Sequence, residues 1–344
     1  MRFQPAIFSV SLGRAWLYDL ENKIEQASKA GFKGIEIFYE DLDYSARKLA
    51  GNDHPTTEQI LEAADHCHKT CQQNGLTIIG MQPFLFYEGL TDRAQHAKMI
   101  EKMKLWLQIA KRLHTDVIQI PSHFVLEGQE HTITEDREII ASDLRELADM
   151  GLAEEPPIRF AYENLCWAKY IDTWESLWDI VKRVDRPNFG MCLDTFNIAG
   201  SVWADPSSPT GKTPNADVDL ELSLRRLVEE VDVNKVFYIQ IVDAERLSSP
   251  LVAGHEFYTE GQPSRMSWSR NARAFAFEEE YNAYLPVEQI ANAIIDGLGY
   301  RGYISMELFS RTLAYEGEHI PAEHAQRGMR AWKRVVERLK LQLH

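Results

Sequence analysis

Four oxygen-bearing side chains close four short apolar runs in the second half of the chain. Glu163 ends Arg-Phe-Ala-Tyr-Glu, Asp194 ends Phe-Gly-Met-Cys-Leu-Asp, Gln240 ends Val-Phe-Tyr-Ile-Gln and Glu307 ends Tyr-Ile-Ser-Met-Glu. Packing gives no reason for a carboxylate or an amide at that place, whereas side chains converging at one end of a parallel sheet are how strand-helix barrels build active sites. Three carboxylates and one amide oxygen form a hard, anionic set suited to Mg²⁺ or Mn²⁺ rather than to zinc, which prefers nitrogen and sulfur. Without a cation, three ionised carboxylates this close would repel one another. Any one of them alone is better explained by pairing with an arginine. The four together, at corresponding positions, are expected to hold a divalent metal.

A second stretch runs from Tyr258 to Arg273 and gathers Arg265, Arg270 and Arg273 with Ser267, Trp268, Ser269 and Asn271. Paired donors beside an aromatic wall suit an anion, and in an acidic chain such a cluster near the metal predicts a lid that binds a small-molecule carboxylate. His123, just after the fourth strand, and Glu36, on the second, are candidates for a general base. His66, Cys67, His68 and Cys71 read as an ordinary helix, and Trp174 and Trp178, one turn apart, as core. No Gly-x-Gly-x-x-Gly follows a strand and no phosphate-binding loop occurs, so nothing supports a nucleotide cofactor.

These groups need a sheet to position them. Apolar runs at Ala6–Leu12, Gly34–Phe38, Leu76–Met81, Val117–Ile120, Arg159–Glu163, Phe189–Asp194, Val236–Val242 and Tyr303–Leu308 read as strands. Between them lie helical patterns over 20–30, 57–73, 92–113, 134–151 (capped by Thr134), 173–184, 220–231 and 287–298, with a last helix over 321–341. Eight strands alternating with eight helices predict an α/β fold, a (β/α)8 TIM barrel, as one domain over residues 1–344. Glu163 and Asp194 are 31 positions apart, about one repeat of such a barrel. The next intervals, 46 and 67 positions, are too long, and the excess falls in two loops, about 200–219 after strand six and 246–286 after strand seven. Both are expected to overhang the active-site face. The acidic run Glu278–Glu280 reads as solvated surface.

At 344 residues the chain is long enough for a large core. Fifty-two acidic against 37 basic residues give a net charge of −15, which opposes nucleic-acid binding. No apolar run reaches the length of a membrane span, the N-terminus lacks the plan of a signal peptide, and four cysteines are few; a cytoplasmic protein is expected. Oligomeric state is not legible in these features.

With these motifs in hand, the chain resembles the fungal 3-dehydroshikimate dehydratases of quinate catabolism, within the wider sugar phosphate isomerase and epimerase barrels. The resemblance rests on Ser-Val-Ser-Leu-Gly-Arg14, Gly-Ile-Glu-Ile-Phe-Tyr-Glu-Asp41, Tyr-Glu-Asn-Leu-Cys-Trp167, Cys-Leu-Asp-Thr-Phe-Asn-Ile-Ala-Gly200, Tyr-Ile-Gln-Ile-Val-Asp-Ala244, Trp-Ser-Arg-Asn-Ala-Arg273 and Ser-Met-Glu-Leu-Phe309. It implies a lyase that converts 3-dehydroshikimate to protocatechuate and water, with a divalent metal on Glu163, Asp194, Gln240 and Glu307 and substrate contacts from Ser269 and Arg273. Arg270 belongs to the same motif. Relatives often carry a histidine three residues after the strand-six aspartate, where it can act in proton transfer; here that position is Asn197. Another histidine of some relatives is replaced by Leu165. His123, Glu36 or His255 would then have to serve as base. The alternatives are a metal-dependent sugar or inositol isomerase or epimerase, and a non-catalytic barrel that binds a carboxylate.

Overall fold

A computed structural model describes residues 3–343. Eight strands run parallel: β1 (Gln4–Phe8), β2 (Gly34–Phe38), β3 (Thr77–Gln82), β4 (Val117–Pro121), β5 (Arg159–Glu163), β6 (Phe189–Asp194), β7 (Val236–Ala244) and, last in the chain, Tyr303–Met306. Each pairs with its neighbours, and the last strand joins β7 to β1, so the sheet closes on itself. This is the expected eight-stranded parallel barrel. A short strand, β8 (Arg273–Phe275), pairs antiparallel with the part of β7 that extends beyond the ring, Ala244 opposite Arg273, which makes the closing strand β9.

Alternation along the strands sorts the interior into layers. Two residues before the mouth-facing Gln119, Glu163, Asp194 and Gln240 lie Val117, Ala161, Cys192 and Tyr238, which with Ala6 and Ile79 form a separate buried cluster. Gly34, two residues before Glu36, has no room for a side chain: a Cβ there would lie 2.8 Å from both Ile79 and Tyr303. A packed floor therefore lies under the polar layer.

Several local expectations need correction. β1 ends at Phe8 rather than Leu12, because Ser9 Oγ accepts the Phe38 N–H (2.9 Å) and donates to Asp41 (2.6 Å), while Ser11 Oγ accepts the Leu308 N–H (2.9 Å). These hydroxyls tie down neighbouring chain ends, and Ser9–Leu12 coils into a 3₁₀ turn. An additional helix spans Tyr39–Ala50, buried through Leu42 and Ala46 and closed by Gly51 at φ 68°. The fifth helix is capped by Asp136, whose carboxylate accepts the N–H groups of Glu138 and Ile139, not by Thr134. After β6 the chain turns at once into a helix, Thr195–Val202, and the long segment after β7 contains a helix over Ser264–Ala272 ahead of β8. The segment starts from Asp243, whose buried carboxylate accepts backbone N–H groups of Ala244, Phe277, Tyr284 and Leu285 at 2.8–3.2 Å.

In the run Glu278–Glu280 the last two residues are exposed as expected, but the first is not. Glu278 is buried and bidentate with Arg327 of the last helix (Ile320–Arg338), at 2.9 and 2.7 Å, and also accepts the Phe275 N–H. Glu279 meets Arg338 and Glu280 meets Arg334. The acidic stretch thus clamps the base of the β7–β9 segment onto a basic helix face. Among the described residues no helix is long and apolar enough to cross a membrane.

Breaking one side of the buried pair leaves an uncompensated charge, so Glu278→Ala should cost ~3 kcal/mol of stability. The urea midpoint measures this, and Glu278→Met combined with Arg327→Met should cost less than Glu278→Ala alone.

Candidate active site

Three of the strand-end groups are linked by shared partners, Glu163 and Asp194 through Asn197 and Asp194 and Glu307 through Arg273, while Gln240 bonds to Glu36. Asp194 is paired in register with Gln240, and Gln240 with Ser305, two residues before Glu307. Glu163 and Asp194 are the last residues of their strands, Gln240 lies inside β7, and Glu307 follows β9 directly. All four are buried.

Amides separate the carboxylates. Asn197 Nδ2 donates to Glu163 Oε1 (2.9 Å) and to Asp194 Oδ2 (2.8 Å), bridging the two. Gln119 donates to Glu163 Oε2, and Gln82 and Gln240 donate to Glu36. Asp194 Oδ1 accepts the Phe196 N–H (2.8 Å), so one carboxylate both caps the helix Thr195–Val202 and faces the site. Arg273 Nη1 donates to Asp194 Oδ2 (3.1 Å) and to Glu307 Oε2, while its Nε donates to Ser269 Oγ (2.9 Å). The rings of Phe196 and Phe309 flank the guanidinium, 4.1 and 5.4 Å from its central carbon.

Burial dominates the electrostatics. It pushes the carboxyls of Glu36, Glu163, Asp194 and Glu307 above the usual carboxylate range. For Glu163 the charges of Asp194 and Glu307 push further the same way. For Asp194 and Glu307 the Arg273 guanidinium pulls back without winning, and Glu307 rises to about 8.

A cavity of about 110 Å³ opens above this layer, lined by Gln82, Glu163, Ser269, Arg270, Arg273 and Glu307 with Phe8, Phe38, Trp167 and Phe309 as apolar walls. A larger one, about 480 Å³, lies between Trp167, Lys169, Tyr258 and Arg265 and reaches none of the strand-end oxygens. Chemistry, not size, singles out the smaller.

The candidate bases fare differently from the oxygen cluster. His123 does not line the cavity: its Nδ1 lies 2.9 Å from the Glu88 carbonyl, its backbone N–H donates to the Glu88 carboxylate, and burial depresses its pKa. Glu36 is fully buried beneath the Gln82 and Gln240 amides. His255 accepts the Phe257 N–H out on the long segment. Asn197 is in the site, as a donor between carboxylates, and an amide takes no proton. Of the side chains that line the cavity, only Glu163 and Glu307 can accept one. Arg270 is largely exposed at the rim, with Nη1 3.2 Å from Gln262. Arg265 does not face the cavity; it ties Gly200 and Ala204 through their carbonyls. Sequence reading missed Gln82 and Gln119, although a lone amide in an apolar strand is the same signal that marked Gln240.

The donor set fits a divalent cation. Of the three buried carboxylates two, Asp194 and Glu307, share one guanidinium, and the Gln240 amide oxygen has no contact better than the Cys192 thiol at 3.5 Å. Among the described residues no three His, Cys, Asp or Glu side chains already converge as a cage, and Arg273 Nη1 lies between Asp194 and Glu307.

The chain belongs to the xylose isomerase-like TIM barrel family, whose model matches residues 24–335. Within that class it is 49% identical over 341 residues, 98% of this chain and 94% of the relative, to a 3-dehydroshikimate dehydratase of Neurospora crassa. Its fold is shared with a solved xylose isomerase-like TIM barrel/4-hydroxyphenylpyruvate dioxygenase fusion protein (TM-score 0.70, 24% identity, 98% of this chain and 44% of that one). The IolI protein, solved with a bound zinc atom, has the same fold (TM-score 0.68, 17% identity, 98% of each chain).

Because the folded pKa of Glu307, about 8, exceeds its ordinary 4.5, the folded protein binds more protons than the unfolded chain between those values. Stability of the chelated protein should therefore fall as pH rises from about 4.5 to about 8. Thermal unfolding in a chelator should reveal that slope, and saturating Mg²⁺ or Mn²⁺ should flatten it.

Proposed function

We propose that this chain is a metal-dependent 3-dehydroshikimate dehydratase that forms protocatechuate by β-elimination of water, in quinate or shikimate breakdown. The observation that carries this reading is the pairing of a buried carboxylate cluster with Arg273, Ser269 and Arg270 around one cavity, in a chain 49% identical to a dehydratase along nearly its whole length.

The substrate carries a ring carboxylate, a ketone and two hydroxyls. Arg273, whose Nη2 makes no bond among the described residues, and Ser269 are suited to bind the carboxylate, with Arg270 adding positive charge at the rim. Phe8, Phe38, Trp167 and Phe309 pack against the ring and exclude water. Glu163, Asp194, Gln240 and Glu307 would hold the divalent cation, Mg²⁺ or Mn²⁺. Bound there, it would supply Lewis-acid chemistry toward the substrate ketone. The C–H next to the ketone then gives up its proton, the β-hydroxyl leaves as water with one proton, and tautomerisation completes the aromatic ring. With no imidazole lining the cavity, proton transfer falls to its carboxylate oxygens. Asn197 keeps Glu163 and Asp194 oriented during that transfer. Four buried, unpaired cysteines suit the reducing cytosol, where we place the enzyme.

Purified protein given Mg²⁺ and 3-dehydroshikimate should generate the ultraviolet band of protocatechuate. Folded, metal-bound protein that produces no band would refute the assignment. Arg273→Ala should lower kcat/KM by ~100-fold or more, through loss of a buried charged contact. Arg270→Ala, at the rim, should mainly raise KM, by roughly tenfold or less.

A further inference from the structure

Arg273 is among the least exposed arginines of the chain, at 5%. Its place is fixed on both sides: its backbone N–H donates to the Phe309 carbonyl (2.9 Å), and its strand is laddered to β7. Phe196 and Phe309 hold the guanidinium plane, and Ser269 holds Nε. The remaining inward nitrogen, Nη1, is shared between Asp194 Oδ2 and Glu307 Oε2, each on a residue expected to bind the cation.

An arginine that only received a substrate carboxylate would have no need of this arrangement. Glu163, Asp194 and Glu307 lie together in the barrel mouth, with Glu36 below. Arg273 is the cation that reaches two of them, and it engages the same oxygens a dication would claim. Two positive groups competing for one pair of carboxylates must weaken each other's binding.

We propose that Arg273 is a positioning residue for the metal site, its internal counter-cation. It holds Asp194 and Glu307 in register when the cation is gone and opposes the cation when it binds. The inference rests on the metal-site reading above and goes beyond the substrate contact assigned to the same residue. Affinity for the metal is thereby set below what the bare oxygen cluster would give. The barrel mouth also keeps its shape through metal exchange.

The test measures metal binding and stability without turnover. Chelated wild type, Arg273→Gln and Arg273→Lys are titrated with Mn²⁺, free Mn²⁺ being followed by electron paramagnetic resonance, and their thermal unfolding is recorded in chelator. Arg273→Gln should bind Mn²⁺ ~10-fold tighter or more than wild type, since a neighbouring like charge is gone. In chelator it should melt several degrees lower, having lost a buried charge partner. Arg273→Lys keeps the charge and should stay within ~3-fold of wild type in Mn²⁺ affinity. If Arg273→Gln does not fold, Arg273→Met, which keeps the apolar stem, takes its place. Equal or weaker Mn²⁺ binding by a folded neutral variant would overturn the proposal. Should wild type and variants alike fail to bind Mn²⁺, the metal-site reading itself falls and carries the inference down with it. A loss of substrate binding alone, with metal affinity unchanged, would leave Arg273 as a substrate contact only and would also overturn it.

Discussion

Four carboxylates withdrawn from bulk solvent are the condition to which the rest of the barrel mouth answers. Glu36, Glu163, Asp194 and Glu307 are each nearly inaccessible. Removing several ionised groups from water is costly unless donors or opposite charge replace it. The chain meets this with a ring of amides, Gln82, Gln119, Asn197 and Gln240, and with one guanidinium. The amides orient oxygens without cancelling charge, which leaves the cluster electron-rich and receptive to a hard cation. Asn197 illustrates the logic: a histidine there could carry a proton, whereas the amide fixes two carboxylates at once.

The same constraint links catalysis to folding. Asp194 serves the site through one oxygen and caps a helix through the other. Cys192 and Tyr238 on the strands below give Asp194 and Gln240 a packed floor. The long segment that brings Arg273 to the carboxylates is itself anchored twice, by backbone donors converging on Asp243 and by Glu278 on the last helix. Charge, rather than apolar area, organises this side of the barrel.

Much of this was legible in the sequence because the barrel's signals are local. A run of apolar residues followed by an oxygen needs no distant information to be read, and Glu163, Asp194, Gln240 and Glu307 are all buried in, or directly after, barrel strands. Ser269 and Arg273 line one cavity together with Glu163 and Glu307. What could not be read depends on partners far along the chain. Glu278 looks like surface until Arg327, 49 positions later, is brought against it. His123 looks available until the Glu88 carbonyl is found at its Nδ1. Ser9 looks like strand until it is seen to hold Phe38 and Asp41. The helix over Tyr39–Ala50 is different: Leu42 and Ala46 stand at helical spacing, so its signal is local and readable.

β7 is longer than the barrel requires, and its surplus residues, Val242–Ala244, form the ladder on which β8 carries Arg273. The arginine therefore rides on the strand that also supplies Gln240, at a separation set by backbone geometry instead of by a hinge. Its conformational freedom is surrendered during folding, so little ordering entropy is left to lose when an anion arrives. A lid built this way is preorganised rather than closing, with Arg270 as the exposed residue at its rim.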